Sequence, residues 1–295
     1  MDDDGQAYYY WGQFLLNGCK LKKDMRSIEE ESIVNNLITQ EKHFFHEGSS
    51  VRKRNGIYYL TFADVSRGEK TQYGGVPTCI GYATSNNPLG PFTYRGVIID
   101  NAESDPKAWN NHGSIEEIDG QWYVFYHRPS RNSPYFRRCA CERIEFDKNG
   151  LIKETRMTSS GANKYLEAKD TVFDGALACG VKGGCYSMFT GNEQGESICG
   201  IKENCEIFYR WIKFEEENTI EIEACGSGRI AFYFRTEEKE VFLGKAEMQS
   251  DLENPVHIKI AIYPVSGVGE LVLKAEDKCE LKIDRFYIKK FFDKI

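Results

Sequence analysis

Residues 43–62, HFFHEGSSVRKRNGIYYLTF, decide how the rest of the chain is read. Asn55-Gly56 is a hairpin-turn signal. The run after it, Ile57-Tyr58-Tyr59-Leu60-Thr61-Phe62, is rich in aromatic and β-branched side chains, which is a strand composition. On the other side of the turn, Phe44 and Phe45 lead to a lone acid, Glu47, followed by Gly48 and Ser49. An acid beside aromatic side chains in a cleft can keep its proton toward neutral pH, because loss of water disfavours a carboxylate. Such an acid can act as a proton donor. The same glutamate in a solvated loop would be ordinary, since charged residues are mostly exposed.

The composition narrows the function classes. With 295 residues the chain is long enough for two domains. The aromatic residues are mainly 17 Tyr and 18 Phe, which suits strands more than helices. A net charge of -7 and the lack of a basic stripe argue against a nucleic-acid partner. Arg52-Lys53-Arg54 is short and reads as a solvated strand edge. No apolar run has the length of a membrane helix, and no basic-then-apolar leader follows Met1. A cytoplasmic location is therefore expected, with secretion open if further sequence precedes Met1. The ten cysteines, at 19, 79, 139, 141, 179, 185, 199, 205, 225 and 279, form no paired CxxC knuckles. They read as mostly reduced, small apolar residues, with a secreted disulfide framework as the minority alternative. Cys139 and Cys141 should share one strand face.

The turn-then-aromatic-strand pattern recurs. Asp4-Gly5 precedes Tyr8-Tyr9-Tyr10-Trp11, Asn55-Gly56 precedes Ile57-Tyr58-Tyr59-Leu60, and Asp119-Gly120 precedes Trp122-Tyr123-Val124-Phe125-Tyr126. The glycines stand 51 and 64 residues apart. A hairpin signature at such spacing suggests propeller blades, and an ordinary antiparallel meander is the alternative. Three repeats are too few to close a propeller, which has about four to eight blades. The first domain is therefore expected to lack N-terminal blades. Between the repeats, Cys79–Thr84, Phe92–Ile99 and Arg138–Phe146 read as strands, and Ser27–Leu37 has helical character.

Met157-Thr158-Ser159-Ser160-Gly161-Ala162-Asn163 is small and polar and reads as a linker. Beyond it, strand candidates come at short, regular spacing: Cys205–Phe214, Thr219–Ala224, Arg229–Arg235, Val256–Tyr263, Glu270–Lys274 and Leu281–Phe286. That spacing suggests a second all-β domain, a sandwich. The dense polar cluster Trp109-Asn110-Asn111-His112-Gly113-Ser114 stands directly before the third repeat. His112 could bind a metal, hold a carboxylate or cap a turn.

The segments FFHEGSSVRKRNGIYYLTF, IGYATSNNPLGPFTYRG and NNHGSIEEIDGQWYVFYHR, in this order, resemble the C-terminal part of a glycoside hydrolase family 43 catalytic domain. MDDDGQAYYYWG is similar to the turn and strand that follow one of that family's catalytic aspartates. The resemblance covers about residues 1–155 and implies a five-bladed propeller. It also implies inverting hydrolysis of arabinose- and xylose-containing plant glycans, with one acid protonating the leaving oxygen and one base activating water. By this resemblance Glu47 is the general acid, and His112 is the histidine near the propeller axis that supports the floor of the site. Arg137 is a substrate-binding arginine. The family's general base lies in a first blade that has no counterpart here. The aspartate that tunes the acid normally stands in an Asp-Pro pair just before the DDDG turn. Asp105-Pro106, the one such pair present, is in another loop, and Asp2, Asp3 and Asp4 belong to the turn. An impaired enzyme, acting on the α-L-arabinofuranosidase or β-xylosidase pattern, is the leading expectation, and a non-catalytic glycan-binding protein is the alternative.

The second half is similar to a carbohydrate-binding module of family 6. Tyr165–Asp170 resembles that module's opening strand, and Phe208–Phe214 and Leu281–Phe286 resemble its later strands. The resemblance implies a jelly-roll sandwich and a possible structural calcium held by oxygen ligands, with Glu167 and Asp284 as candidates. The chain as a whole is thus expected to be all-β: a partial propeller over residues 1–157 and a glycan-binding sandwich over 163–295. No organic cofactor and no membrane partner are expected.

Overall fold

The computed structural model describes residues 1–67, 70–71, 74–75, 79–104, 110–190, 195–276 and 278–291. Trp109 and the Asp105-Pro106 pair lie outside these residues. Strands dominate, and the only α-helix among the described residues is the single turn Gln40–His43. No helix of the described residues is long and apolar enough to cross a membrane. The chain divides into two compact units. Unit 1 is Met1–Ala102, Trp109–Arg128 and Cys139–Arg156; unit 2 is Glu103–Ala108, Pro129–Arg138 and Met157–Ile295.

Unit 1 is built from propeller-type sheets. Strands β1 (Tyr8–Trp11), β2 (Leu15–Lys20) and β3 (Val34–Thr39) form one three-stranded sheet. Strands β4 (Phe45–Arg54) and β5 (Ile57–Asp64) are the hairpin of the opening motif. After the two-residue strands β6 (Lys70–Thr71) and β7 (Gly74–Gly75), β8 (Cys79–Ser85) and β9 (Thr93–Asp100) extend that hairpin into a larger sheet. A third sheet holds β10 (Gly113–Ile118), β11 (Gln121–Ser130) and β12 (Ser133–Arg143) in that order. The short β13 (Thr155–Arg156) adds to β9 in parallel. Leu16, Ile38, Phe45, Leu60, Phe62 and Ala83 make the packed core, each fully buried.

The three repeated turns are not alike. Asn55-Gly56 and Asp119-Gly120 both have positive φ at both residues, the geometry of a two-residue hairpin turn that matches strand twist. The Asp4-Gly5 turn instead closes on itself through Asp2 N–H to Gln6 O, and β1 pairs forward with β2. The segment Ser27–Leu37 is not a helix. It holds the 3₁₀ turn Glu30–Ser32 and the start of β3, where Leu37 and Ile38 face the core. Burying those side chains beside β2 outweighs local helical spacing.

Unit 2 contains β14 (Leu166–Glu167), β15 (Val172–Asp174), β16 (Gly180–Lys182), β17 (Tyr186–Phe189), β18 (Glu196–Lys202), β19 (Glu206–Glu215), β20 (Thr219–Arg235), β21 (Glu240–Gln249), β22 (Val256–Ala261), β23 (Ser266–Ala275) and β24 (Glu280–Lys289). They form the sandwich through one hydrogen-bonded path, β14-β19-β23-β20-β24-β18-β17, with the remaining strands paired onto it. The segments Thr219–Ala224 and Arg229–Arg235, read in the sequence as two strands, are one 17-residue strand. It bends through Gly226 and Gly228, both at positive φ, and changes partners there. Its first half pairs with β24 and β22, and its second half pairs with β23 and β21. Such a corner lets one strand serve both layers of a sandwich. The linker-like segment is docked in unit 2: Met157 and Ser160 are buried, and Ser159 exchanges backbone and hydroxyl bonds with Arg210.

Aromatic rings fill the centre of unit 2. Phe173 stacks on Phe286 at 4.8 Å, and Tyr209 meets both edge-on. Phe286→Ala removes the ring that the others share and leaves a cavity. It is expected to lower the unfolding free energy of unit 2 by about 3–5 kcal/mol, read from denaturant melts. A change under about 1 kcal/mol, well below that range for aromatic truncation, would show that this cluster does not hold the sandwich together.

Candidate active site

The sequence of β4 places Glu47 by breaking its own ladder. The Asn55-Gly56 turn sets Arg54 opposite Ile57 and Ser50 opposite Thr61. Continued without interruption, that register would put Glu47 opposite Asp64. Two irregularities, between Ser50 and Glu47 and between Glu47 and Phe45, put Glu47 opposite Ala63 and Phe45 opposite Asp64. Bulges of this kind re-aim a side chain at the cost of local pairing. Gly48 sits inside the irregular stretch at φ +67°.

The re-aimed carboxylate meets two groups, and a third continues the line. Gln13 Nε2 donates to Glu47 Oε2 at 3.0 Å. Glu47 Oε1 is 3.1 Å from His112 Nε2, and His112 Nδ1 is 3.2 Å from Nε2 of His127. Glu47 and His112 each keep about a third of their side-chain surface open, 36% and 31%. Nearby, Phe14 packs edge-on against His46 with centroids 5.2 Å apart, and its backbone N–H donates to His46 O at 2.8 Å. Phe14 is half exposed and has a positive φ, 64°, which is unusual for a bulky residue. Behind the histidines, the buried Asn101 donates to the backbone oxygens of Asn110 and His127, fixing both ends of the β10–β11 hairpin. Arg52 pairs with Glu116 at 2.7 Å between β4 and β10.

This line of groups has two proton arrangements. When Glu47 carries a proton, its O–H donates to His112 Nε2, and the His112 Nδ1–H donates to His127. When Glu47 is ionised, every donor reverses: His127 Nε2–H donates to His112 Nδ1, and His112 Nε2–H donates to the carboxylate. Each ring nitrogen is a donor in one arrangement and an acceptor in the other. The line can thus accommodate both the protonated and the ionised acid without moving a heavy atom.

Glu47 and His112, both singled out in the sequence, are brought together in unit 1. Arg137 is exposed on β12, in the part of that strand assigned to unit 2. Glu167 accepts from Lys213 Nζ at 3.1 Å. Asp284 accepts from Ser197 Oγ at 2.6 Å and lies 3.2 Å from Lys282 Nζ. A lysine ammonium already neutralises each acid, so this donor set does not fit a calcium ion, which takes six to eight oxygens. Among the described residues no group of three or more His, Cys, Asp or Glu side chains is placed to hold a metal.

Sequence reading missed Gln13 and His127. His127 was within reach of it: a two-residue turn at Asp119-Gly120 pairs Gly113 with Tyr126, so the next pair outward is His112 with His127. Gln13 carried no such signal, because it reaches Glu47 from a different sheet. Asp2 has a structural role. It accepts from Lys53 Nζ at 2.7 Å and from the Tyr58 hydroxyl, and these bonds push its carboxyl down to about 2.

The chain thus carries a partly exposed acid at the end of a line of two imidazoles, within propeller-type sheets. Residues 1–152 match the family described as glycosyl hydrolases family 43, and the chain belongs to that family. It is similar to a xylosidase/arabinosidase of Thermoclostridium stercorarium, 25% identical over 94% of this chain and 68% of that protein. It is also similar to a beta-xylosidase of Xylanibacter ruminicola, 27% identical over 52% of this chain and 56% of the relative. Among solved structures, a family 43 arabinoxylan arabinofuranohydrolase from Bacillus subtilis, in complex with cellotetraose, aligns with a TM-score of 0.50. Its identity is 20%, over 98% of this chain and 66% of that one, a likeness of fold.

Two predictions follow from the packing. A Cβ on Gly48 would lie 2.3 Å from His112 Cδ2, whereas one on Gly56, also at positive φ, would meet nothing within 4 Å. Gly56→Ala should carry only the left-handed backbone strain, about 1–2 kcal/mol. Gly48→Ala should lower the melting temperature further and shift the His112 ring-nitrogen NMR signals. Equal melting temperatures for the two variants would refute the contact. For Asp2 the folded-state carboxyl is depressed, so its contribution is present above the ordinary value of 3.8 and is lost as pH falls toward about 2. Asp2→Asn should therefore flatten the fall of stability with pH across that window in acid-unfolding curves. Unchanged curves would exclude the role.

Proposed function

We propose that this chain carries the acid half of an inverting pentosidase site that acts on arabinose- or xylose-containing plant glycans. Glu47 is the general acid: it protonates the leaving glycosidic oxygen and is re-protonated afterwards. His112 and Gln13 orient its two oxygens, and His127 orients His112. Arg137 is proposed to bind substrate. The observation that carries this reading is the Gln13–Glu47–His112–His127 line at hydrogen-bond spacing on a strand whose register is broken at the acid. The names of the relatives support the sugar class.

We further propose that residues 1–157 act as the catalytic-type propeller domain and residues 163–295 as a glycan-binding sandwich of the family 6 kind. The motif resemblance and the sandwich architecture of unit 2 support this division.

An inverting site needs a second carboxylate roughly 6.5–9.5 Å from the acid, with water between them. None of the residues assigned here is that base. Base catalysis is worth about 10²–10⁴-fold, so turnover by this chain is expected to be slow. The test is release of pentose from arabinoxylan and from 4-nitrophenyl α-L-arabinofuranoside and β-xyloside, beside Glu47→Gln. Slow turnover that drops further in the variant is expected. The drop should be larger on arabinoxylan than on the nitrophenyl substrates, whose leaving group departs without a proton. Rapid turnover lost in Glu47→Gln would show that another carboxylate completes the site and would overturn the expectation of slow turnover. Turnover indifferent to the variant would remove Glu47 from its role.

A further inference from the structure

Two four-residue turns in unit 2 end on cysteines. Lys182-Gly183-Gly184-Cys185 leads from β16 to β17, and Lys202-Glu203-Asn204-Cys205 leads from β18 to β19. In each turn the fourth residue folds back on the first. Cys205 N–H donates to Lys202 O at 3.0 Å, Lys202 N–H approaches Cys205 Sγ at 3.3 Å, and Cys185 Sγ donates to Lys182 O at 3.4 Å. The two turns lie directly against each other. Cys205 Sγ is 3.3 Å from Gly183 O, and a Cβ on Gly183 would come within 2.8 Å of Cys205 Cα. Only a residue without a side chain allows this approach. Cys185 Sγ also lies 3.9 Å from the backbone oxygen of Glu206, the residue after Cys205, and both cysteines are fully buried.

We infer that Cys185 and Cys205 are a disulfide-forming pair that staples the β16–β17 turn to the β18–β19 turn. The inference is independent of the glycosidase reading. Cys179, also in the core, is placed differently: its Sγ donates to Phe208 O at 3.2 Å. The chemistry is thiol–disulfide exchange with a small-molecule disulfide, RSSR. The Cys205 thiolate attacks one sulfur, forms a mixed disulfide and releases the first RS⁻. The Cys185 thiolate then attacks Cys205 Sγ and releases the second. Two electrons pass from the protein to RSSR, and the two thiol protons end on two RSH molecules. The hydrogen bond from Cys185 brings the Cys205 thiol down to about 6 against the pull of burial. In the folded chain this favours Cys205 as the thiolate, and in the opened chain either thiol can attack first. Because both sulfurs are buried, the exchange takes place while the chain folds or opens.

The test is to refold the full chain with oxidised glutathione, and in parallel with dithiothreitol, then alkylate it in denaturant and map peptides without reduction. The expected result is a Cys185–Cys205 cross-linked peptide two hydrogens lighter than the sum of its thiol peptides, present only in the oxidised sample. The oxidised protein should also melt higher than the reduced protein, and the double variant Cys185→Ala/Cys205→Ala should show no such difference. In Cys185→Ala alone, Cys205 should be recovered as a mixed disulfide with glutathione. Complete alkylation of both cysteines after oxidative refolding, or cross-linking of either to Cys279 or another cysteine instead, would overturn the inference. The peptide map of the unmodified sequence decides the matter even if the variants fail to fold.

Discussion

The site depends on a strand that gives up its regular ladder at one acid. A straight β4 would set Glu47 opposite Asp64, whereas the two register slips set it opposite Ala63. Because side chains alternate between faces along a strand, a one-residue slip redirects every side chain beyond it. The slip costs backbone pairing and needs Gly48 in a left-handed conformation against the His112 ring. In return the carboxylate meets Gln13 on one oxygen and His112 on the other. Everything proposed about function rests on this exchange of regularity for direction.

The second hairpin contributes by the opposite means. β10 and β11 keep strict register from Gly113–Tyr126 to Ile118–Gln121, so the two histidines face one another at its open end. Asn101 ties the backbone of both ends together from behind. A regular hairpin positions the imidazoles, and an irregular one brings the acid to them. Under the proposed function this pairing has a chemical sense, because proton donation to a leaving oxygen requires an acid held in a fixed direction.

Unit 2 also buries a charge beside its aromatic core. Arg210, 1% exposed, is met by Glu270 at 2.8 Å, by Glu103 and by Met157 O at 3.2 Å. A guanidinium taken out of water is tolerable only when its donors are filled by close acceptors. Burial weakens the guanidinium's hold on its proton, and the neighbouring Cys179, Glu103 and Glu270 strengthen it by more, so it stays charged. One of those acids, Glu103, comes from the first half of the sequence, so unit 2 is not a simple C-terminal piece of the chain.

Much of this protein is legible in local sequence. Asn55-Gly56 and Asp119-Gly120 need positive φ at both positions, and the alternating aromatic runs beside them can bury one face only as strands. All-β architecture and blade-like hairpins follow from those facts; Glu47 and His112 are singled out by the family resemblance, and the structure brings their side chains together. The helical reading of Ser27–Leu37 failed because the burial of Leu37 and Ile38 beside β2 overrides local spacing. The split of Thr219–Arg235 failed because glycines at a sandwich corner bend a strand without ending it. Gln13 at Glu47, the docking of the linker-like segment on Arg210 and the meeting of Cys185 with Cys205 were decided by tertiary structure alone. Each joins residues from separate turns or sheets, and no local propensity or spacing encodes a distance between elements that only packing brings together.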